Sequence, residues 1–177
     1  GIFAAYSFDP TKTLPNFGNG GAVVSDDEDV VYAVKQLRRH SWIDMHVGGN
    51  SIMSERDCAE LLVKLEYFDI WTKRRRELAE YYTTELQDYV EIITDSSGMV
   101  SKFVIATDRA GDLRTHLNVN NVQTKSVYEQ ALHNLPQATL NCKRFVSIPC
   151  DSYTTDEESA QVVDAIKMFF EPVPLKT

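Results

Sequence analysis

The chain has 177 residues, 18 of them Lys or Arg and 26 Asp or Glu, for a formal net charge of −8. Hydrophobic residues make up 43% and charged residues 25%, with a mean hydropathy of −0.29, which excludes a disordered or collagen-like polymer. The acidic balance excludes a general nucleic-acid binder, whose phosphate contacts need a basic field, and no apolar run reaches the roughly 20 residues of a membrane span.

Length predicts one domain or slightly more, at about 100–200 residues each. The start Gly1-Ile2-Phe3-Ala4-Ala5-Tyr6 has no basic signal-peptide region, and Gly1 in place of Met points to tag removal or to a piece of a longer chain. Ile2 to Phe8 reads as a buried strand. The following Asp9-Pro10-Thr11-Lys12-Thr13-Leu14-Pro15-Asn16-Phe17-Gly18-Asn19-Gly20-Gly21 is a loop by its prolines and glycines. Ala22-Val23-Val24 reads as a short strand. Asp26 or Asp27 caps a helix reaching about His40, with Val30, Val34 and Leu37 on one face. Ser41 to Ser51 is loop.

Ser54 with Asp57 resembles a capping box. It opens one long helix, or two joined, to about Tyr89, with Cys58, Leu61, Leu62, Leu65 and Phe68, then Leu78, Tyr82 and Leu86, at helical spacing. Val100 to Thr107 reads as a strand, Leu113 to Leu117 as a short helix, and Val122 to Tyr128 and Phe145 to Ile148 as further strands. Thr155 with Glu158 is a second capping box, opening a helix with Ala160, Val163, Ile166 and Phe170 on one face. Pro172 and Pro174 end it. The stretch from about residue 90 onward is therefore a small α/β layer, whereas residues 1–46 read as a piece of something else.

Cys58, Cys142 and Cys150 are odd in number, irregular in spacing and without a C-x-x-C, which points to free thiols in a reducing cytoplasm. His40, His46, His116 and His133 lack metal-ligand spacing, so no metal centre is expected. Glu55, Asp57 and Glu60 read as a solvated helix start rather than a catalytic pair. The run Lys73-Arg74-Arg75-Arg76 is interrupted by Glu77 and Glu80, and reads as a solvated helix face.

Lys12 stands apart. Most loop lysines are solvated charges, but this one follows an apolar strand, sits between Pro10 and a Gly-rich turn, and has Ser7 five positions before it. A lysine held in a constrained pocket can form a Schiff base with an aldehyde. A nearby hydroxyl and free backbone N–H groups can hold a phosphate.

The segments Ser7-Phe8-Asp9-Pro10-Thr11-Lys12 and Gly18-Asn19-Gly20-Gly21-Ala22-Val23-Val24 resemble the cofactor-lysine region of the DegT/DnrJ/StrS sugar aminotransferases. Val47-Gly48-Gly49-Asn50-Ser51-Ile52-Met53-Ser54-Glu55 is similar to that family's G-x-N-S-R-M-S-E. Ala59, Leu61, Lys64-Leu65 and Arg75-Arg76-Glu77-Leu78-Ala79-Glu80-Tyr81-Tyr82 follow as in its helix. Tyr128 with Leu132-His133-Asn134-Leu135-Pro136, and Val146-Ser147-Ile148-Pro149, complete the order.

The resemblance implies an α/β fold, the C-terminal portion of a fold-type I pyridoxal-phosphate-dependent transferase. Residues 1–46 would end the large cofactor domain, and 47–177 would form a long helix and a small C-terminal α/β domain. Lys12 would be the catalytic residue and would condense with pyridoxal 5′-phosphate; Ser7 would bond its phosphate. Asn50 would reach the cofactor phosphate of the neighbouring subunit, since these enzymes are homodimers with shared sites. The reaction implied moves an amino group from a donor such as glutamate to a nucleotide-linked keto-sugar. A dehydratase is disfavoured, because members of that kind replace the lysine.

The chain departs from the family pattern in two ways. Ile52 replaces the family's Arg. The family chain is also about twice this long, so the residues that hold the pyridine nitrogen, stack on the ring and grip the phosphate would lie in a half outside these 177 residues. The expectation is a C-terminal fragment or half of a split enzyme; the alternative is a non-catalytic remnant serving as an interaction or dimerisation module. The apolar first strand is expected to be covered by self-association.

Overall fold

The computed structural model describes residues 1–41, 47–133 and 135–171. His46, Asn134 and the helix stop expected at Pro172 and Pro174 lie outside them. The chain divides into two compact units, Gly1–Asp69 and Ile70–Thr177.

In the first unit, β1 (Ala4–Ser7) pairs antiparallel with β2 (Gly21–Val24), from Ala4 opposite Val24 to Ser7 opposite Gly21. The pair is tight at its loop end: a Cβ on Gly21 would stand 2.8 Å from the Tyr6 carbonyl oxygen. The strand expected at Ile2–Phe8 is thus present, but it is exposed along its length rather than buried. Two strands cannot cover the apolar residues that point to both faces of a sheet.

The helix α1 (Glu28–Leu37) starts where expected. The Asp27 carboxylate accepts from the backbone N–H of Asp29 at 2.9 Å and of Val30 at 3.3 Å, and Glu28 and Asp29 in the first turn complement the helix dipole. It stops before His40, because His40 and Ser41 take left-handed φ values of 66° and 52°. There the chain folds back: Gly49 N–H donates to Leu37 O at 2.8 Å, and Ser51 N–H to Arg38 O at 3.0 Å.

The long helix is one element, α2 (Glu55–Leu86). Its start is half of the expected capping box. Ser54 Oγ accepts from Asp57 N–H at 3.1 Å, but the Asp57 carboxylate accepts from the Ser54 hydroxyl at 2.7 Å instead of reaching the backbone.

In the second unit, β3 (Glu91–Ile92), β4 (Phe103–Ala106) and β5 (Phe145–Ile148) form an antiparallel sheet in that order. The core sets Leu78, Tyr82 and Leu86 of α2 with Phe103, Ile105 and Val146 of the sheet, Leu113 and Leu117 of α3 (Ala110–Val119), and Val163 and Ile166 of α5 (Asp156–Phe170). Thr155 caps α5 with a complete capping box: its hydroxyl accepts from Glu158 N–H at 3.1 Å, and Glu158 accepts from Thr155 N–H at 2.9 Å.

Two further expectations are corrected by the structure, and one element is added. Val122–Tyr128 is not a strand; only Lys125 bridges to Ser147, at 2.9 and 3.2 Å. Residues 136–144, to which the sequence pattern assigns no element, form α4 (Pro136–Arg144), opened by a proline in its first turn and burying no residue. The basic run is not simply a solvated face. Lys73 pairs with Glu77 on the surface, but Arg74 turns inward to the Thr154 carbonyl at 2.7 Å and Arg75 to the Cys150 carbonyl at 2.7 Å.

Candidate functional site

The site residues of the first unit follow directly from the way β1 ends. Phe8 N–H donates to Gly20 O at 2.8 Å and Asn16 N–H to Phe8 O at 2.9 Å, so the loop closes on the strand end. Inside it, Asp9-Pro10-Thr11-Lys12 is a β-turn with proline at its second position, closed by Lys12 N–H donating to Asp9 O at 2.9 Å. The Asp9 carboxylate accepts from the Thr11 hydroxyl at 2.6 Å and from Thr11 N–H at 2.8 Å, the usual aspartate reinforcement of a turn. The Thr11 hydroxyl first, then the Thr11 N–H and the Lys12 charge, hold the Asp9 carboxyl below its ordinary value.

Asp9 also joins the two residues expected to act together: its N–H donates to Ser7 Oγ at 3.3 Å while its carbonyl receives Lys12 N–H. Ser7 and Lys12 are thus carried on one bonded turn, both exposed. Among the described residues no hydrogen bond or ion pair engages Lys12 Nζ. Asn50 is carried elsewhere in the same unit, bridged to Arg39 beside the end of α1 and exposed. No hydrogen bond among the described residues links it to Ser7 or Lys12.

Beside the turn lies an open groove of about 1060 Å³, mostly apolar, lined among others by Tyr6, Phe8, Leu14, Ile52, Met53 and Leu61. Ile52, standing where the resemblance has arginine, gives this groove an alkyl wall. Gly20 keeps the loop close to it: a Cβ there would stand 3.0 Å from Met53 Sδ and 3.3 Å from Asn16 Nδ2.

Two features escape a reading of the sequence. Asn16 is 2% exposed, and neither atom of its amide has a hydrogen-bond partner among the described residues; nothing in the loop pattern marks it as buried. Lys64 and Glu60 form a partly buried pair one helical turn apart, and Lys64 Nζ donates to the Pro15 carbonyl at 2.7 Å. Glu60 is therefore not part of a solvated helix start; its side chain is 14% exposed. The i, i+4 spacing was the available signal. Among the described residues, no group of three or more His, Cys, Asp or Glu side chains is placed to hold a metal.

The profile of the DegT/DnrJ/EryC1/StrS aminotransferase family matches residues 1–167, and the chain belongs to that family. It is 29% identical to a dTDP-3-amino-3,4,6-trideoxy-alpha-D-glucose transaminase of Streptomyces venezuelae, over 96% of this chain and 51% of that protein. It is 30% identical to the erythromycin biosynthesis sensory transduction protein EryC1 of Saccharopolyspora erythraea, over 93% and 51%. Among solved structures, S. venezuelae DesV in complex with ketimine intermediate matches at a TM-score of 0.89 and 27% identity, over 98% of this chain and 53% of that one. NtdA from Bacillus subtilis, with bound cofactor PMP, matches at 0.87 and 22% identity, over 97% and 46%, a likeness of fold alone. The fold is the expected one: α/β, the C-terminal portion of a fold-type I pyridoxal-phosphate-dependent transferase, with a long linking helix and a small α/β domain. The chain spans about half the length of the curated relatives it matches.

Proposed function

We propose that these residues are the lysine-bearing part of a pyridoxal 5′-phosphate-dependent aminotransferase that moves an amino group from a donor such as glutamate to a nucleotide-linked keto-sugar. One observation carries the reading: Ser7 and Lys12 sit on a single bonded turn, an exposed hydroxyl and an exposed amine, in a chain of this family. Relatives named as transaminases of dTDP-linked sugars support the substrate class.

The donor set fits the cofactor. Ser7 Oγ accepts from Asp9 N–H, which leaves its own proton for a phosphate oxygen. Lys12 Nζ is the nucleophile for an aldehyde carbon and, when free, the base that moves the proton held at the donor's Cα. Pyridoxal 5′-phosphate, when bound, supplies the electron sink that makes such a Cα–H bond acidic. Asn50, away from the turn, is assigned to the phosphate of a neighbouring subunit's cofactor, and the assembly is a homodimer. Residues 1–46 are read as the end of the cofactor domain and 47–177 as the linking helix and small domain. The remaining half of the site is assigned to residues outside these 177, on the same polypeptide or on a second one. The free thiols agree with a cytoplasmic protein.

A second reading, a non-catalytic interaction or dimerisation module, draws support from the exposed apolar residues of the first unit and from relatives named as regulatory and sensory transduction proteins. One experiment separates the two. Pyridoxal 5′-phosphate is added to the chain, alone and co-expressed with the other half of a relative. The visible band is recorded, then borohydride is added and the modified residue mapped by mass spectrometry. Modification at Lys12 is the expected result. No band in either arm, or modification spread evenly over the surface lysines, overturns the enzyme reading and leaves the interaction module.

A further inference from the structure

We propose that Lys64 is a positioning residue for Lys12: a latch from α2 that holds the loop following the Lys12 turn. The role assigned to Lys12 rests on the function proposed above; the latch itself does not. Lys64 lies on the first half of α2, 49 positions from the loop it touches. Its Nζ donates to the Pro15 carbonyl at 2.7 Å, stands 4.9 Å from the centroid of the Phe17 ring, and pairs with Glu60 one turn back on the same helix. One cation thus meets a carbonyl, an aromatic face and a carboxylate, which together use its charge and its N–H donors.

An ordinary i, i+4 pair on a helix face would bind neither loop residue, and such pairs are weak and mobile. This one is drawn inward, with Lys64 23% and Glu60 14% exposed at their side chains. Glu60 fixes the direction in which Lys64 extends. Pro15 and Phe17 lie three and five positions beyond Lys12, and Pro15 falls between the backbone bonds made at Lys12 and Asn16. Lys64 grips there and at Phe17, one residue further on. Phe17 is 78% exposed with Lys64 Nζ beside its ring, so burial does little to hold that ring and the cation is what it meets.

The consequence is a division of labour. The turn Asp9–Lys12 sets the local backbone, and α2, through Lys64, sets where that turn stands within the first unit. A looser loop spreads the amine of Lys12 over more positions, and a reacting amine displaced by an ångström loses much of its rate.

The test is amide hydrogen exchange by NMR on the 177-residue chain without cofactor. In Lys64→Met the amides of Lys12 and Asn16 are expected to exchange about fivefold faster or more, the factor that one lost contact of ordinary strength gives. Amides of β4 and β5 are expected to be unchanged, and Lys64→Arg is expected to recover most of the protection. Unchanged exchange at Lys12 and Asn16 in Lys64→Met overturns the latch, as does an equal rise throughout the chain. Should Lys64→Met fail to fold, Phe17→Leu and Glu60→Gln each weaken the latch and leave the ammonium in place; they are expected to speed the same two amides, and no change in both overturns it. Borohydride trapping with pyridoxal phosphate is the second readout. In Lys64→Met the share of label on Lys12 is expected to fall several-fold, with recovery in Lys64→Arg. A wild-type chain that takes no label on Lys12 counts against the aminotransferase reading, while the exchange result still decides the latch.

Discussion

The two halves of α2 carry the same kind of apolar spacing and meet opposite fates. Leu62, in the first unit, is 65% exposed, whereas Leu78, in the second, is 2% exposed. Leu61 is buried in the first half, but Val63, Leu65 and Tyr67 are exposed with Leu62. The difference lies in what each unit provides beside the helix. Among the described residues, the second unit supplies a three-stranded sheet and two further helices, α3 and α5, around one core; the first supplies a two-stranded sheet and one ten-residue helix. Periodicity tells which residues would share a face. Coverage depends on how many layers are present to bury it.

The largest expected effect breaks or sharpens this contrast directly. Tyr82 is fully buried against Phe103, with ring centroids 5.3 Å apart, so Tyr82→Ala is expected to cost about 3–5 kcal/mol of stability in the second unit. Leu62→Ala is expected to change stability by less than about 0.5 kcal/mol. Denaturant melts, with residue-resolved amide exchange to read each unit separately, check both. A Leu62→Ala cost equal to that of Tyr82→Ala would mean that the first unit is covered in solution. A cost that appears only at high protein concentration would identify self-association as the cover.

A smaller effect comes from pH. Cys150 is buried in the second unit, and burial pushes its thiol up to about 11 from an ordinary value of 9.0, against the opposing charge of Arg75. The folded state therefore keeps this proton between those two values, while the unfolded thiol gives it up. The unfolded state binds fewer protons there, so stability is expected to be flat below about 9 and to fall as pH rises toward about 11. Cys58 is exposed on the first half of α2, whereas Cys150 is buried. A thiol reagent at pH 8 is expected to label Cys58 at once and Cys150 only on unfolding. Equal labelling rates in the native chain would contradict the packed core around Cys150.

Much of the second unit was legible because its signals are local. The Thr155–Glu158 box, the spacing of Val163 and Ile166, and the strand at Phe145–Ile148 all lie within a few residues of each other. What escaped has little local signal. The helix α4 buries nothing, so it carries no apolar stripe to read, and β3 is two residues long. Val122–Tyr128 has strand-like composition, but its single bridge, at Lys125, is fixed by a partner strand and not by its own pattern. In the candidate site, Lys12 and Ser7 were visible through their spacing and the family resemblance. The Lys64–Pro15 contact was not, because nothing near either residue points to the other across 49 positions.

The smallest effect asks whether the two helix starts differ as the units do. Thr155 and Ser54 both accept an N–H three residues on, each at 3.1 Å. At Thr155 the bond is reciprocated by Glu158 to the backbone, and the helix it opens buries Val162, Val163 and Ile166 in the core. Fraying that end exposes packed surface. At Ser54 the hydroxyl is turned to the Asp57 carboxylate, and the residues that follow are mostly exposed, so water replaces the lost acceptor at little cost. Thr155→Ala is therefore expected to cost about 1 kcal/mol, a drop of about 2–8 °C in Tm for a unit or chain of this size, and Thr155→Ser is expected to restore it. Ser54→Ala is expected to leave Tm within error. Equal losses at the two caps would show that the start of α2 is as firmly packed as the start of α5, and the distinction between the two units would then rest on side-chain exposure alone.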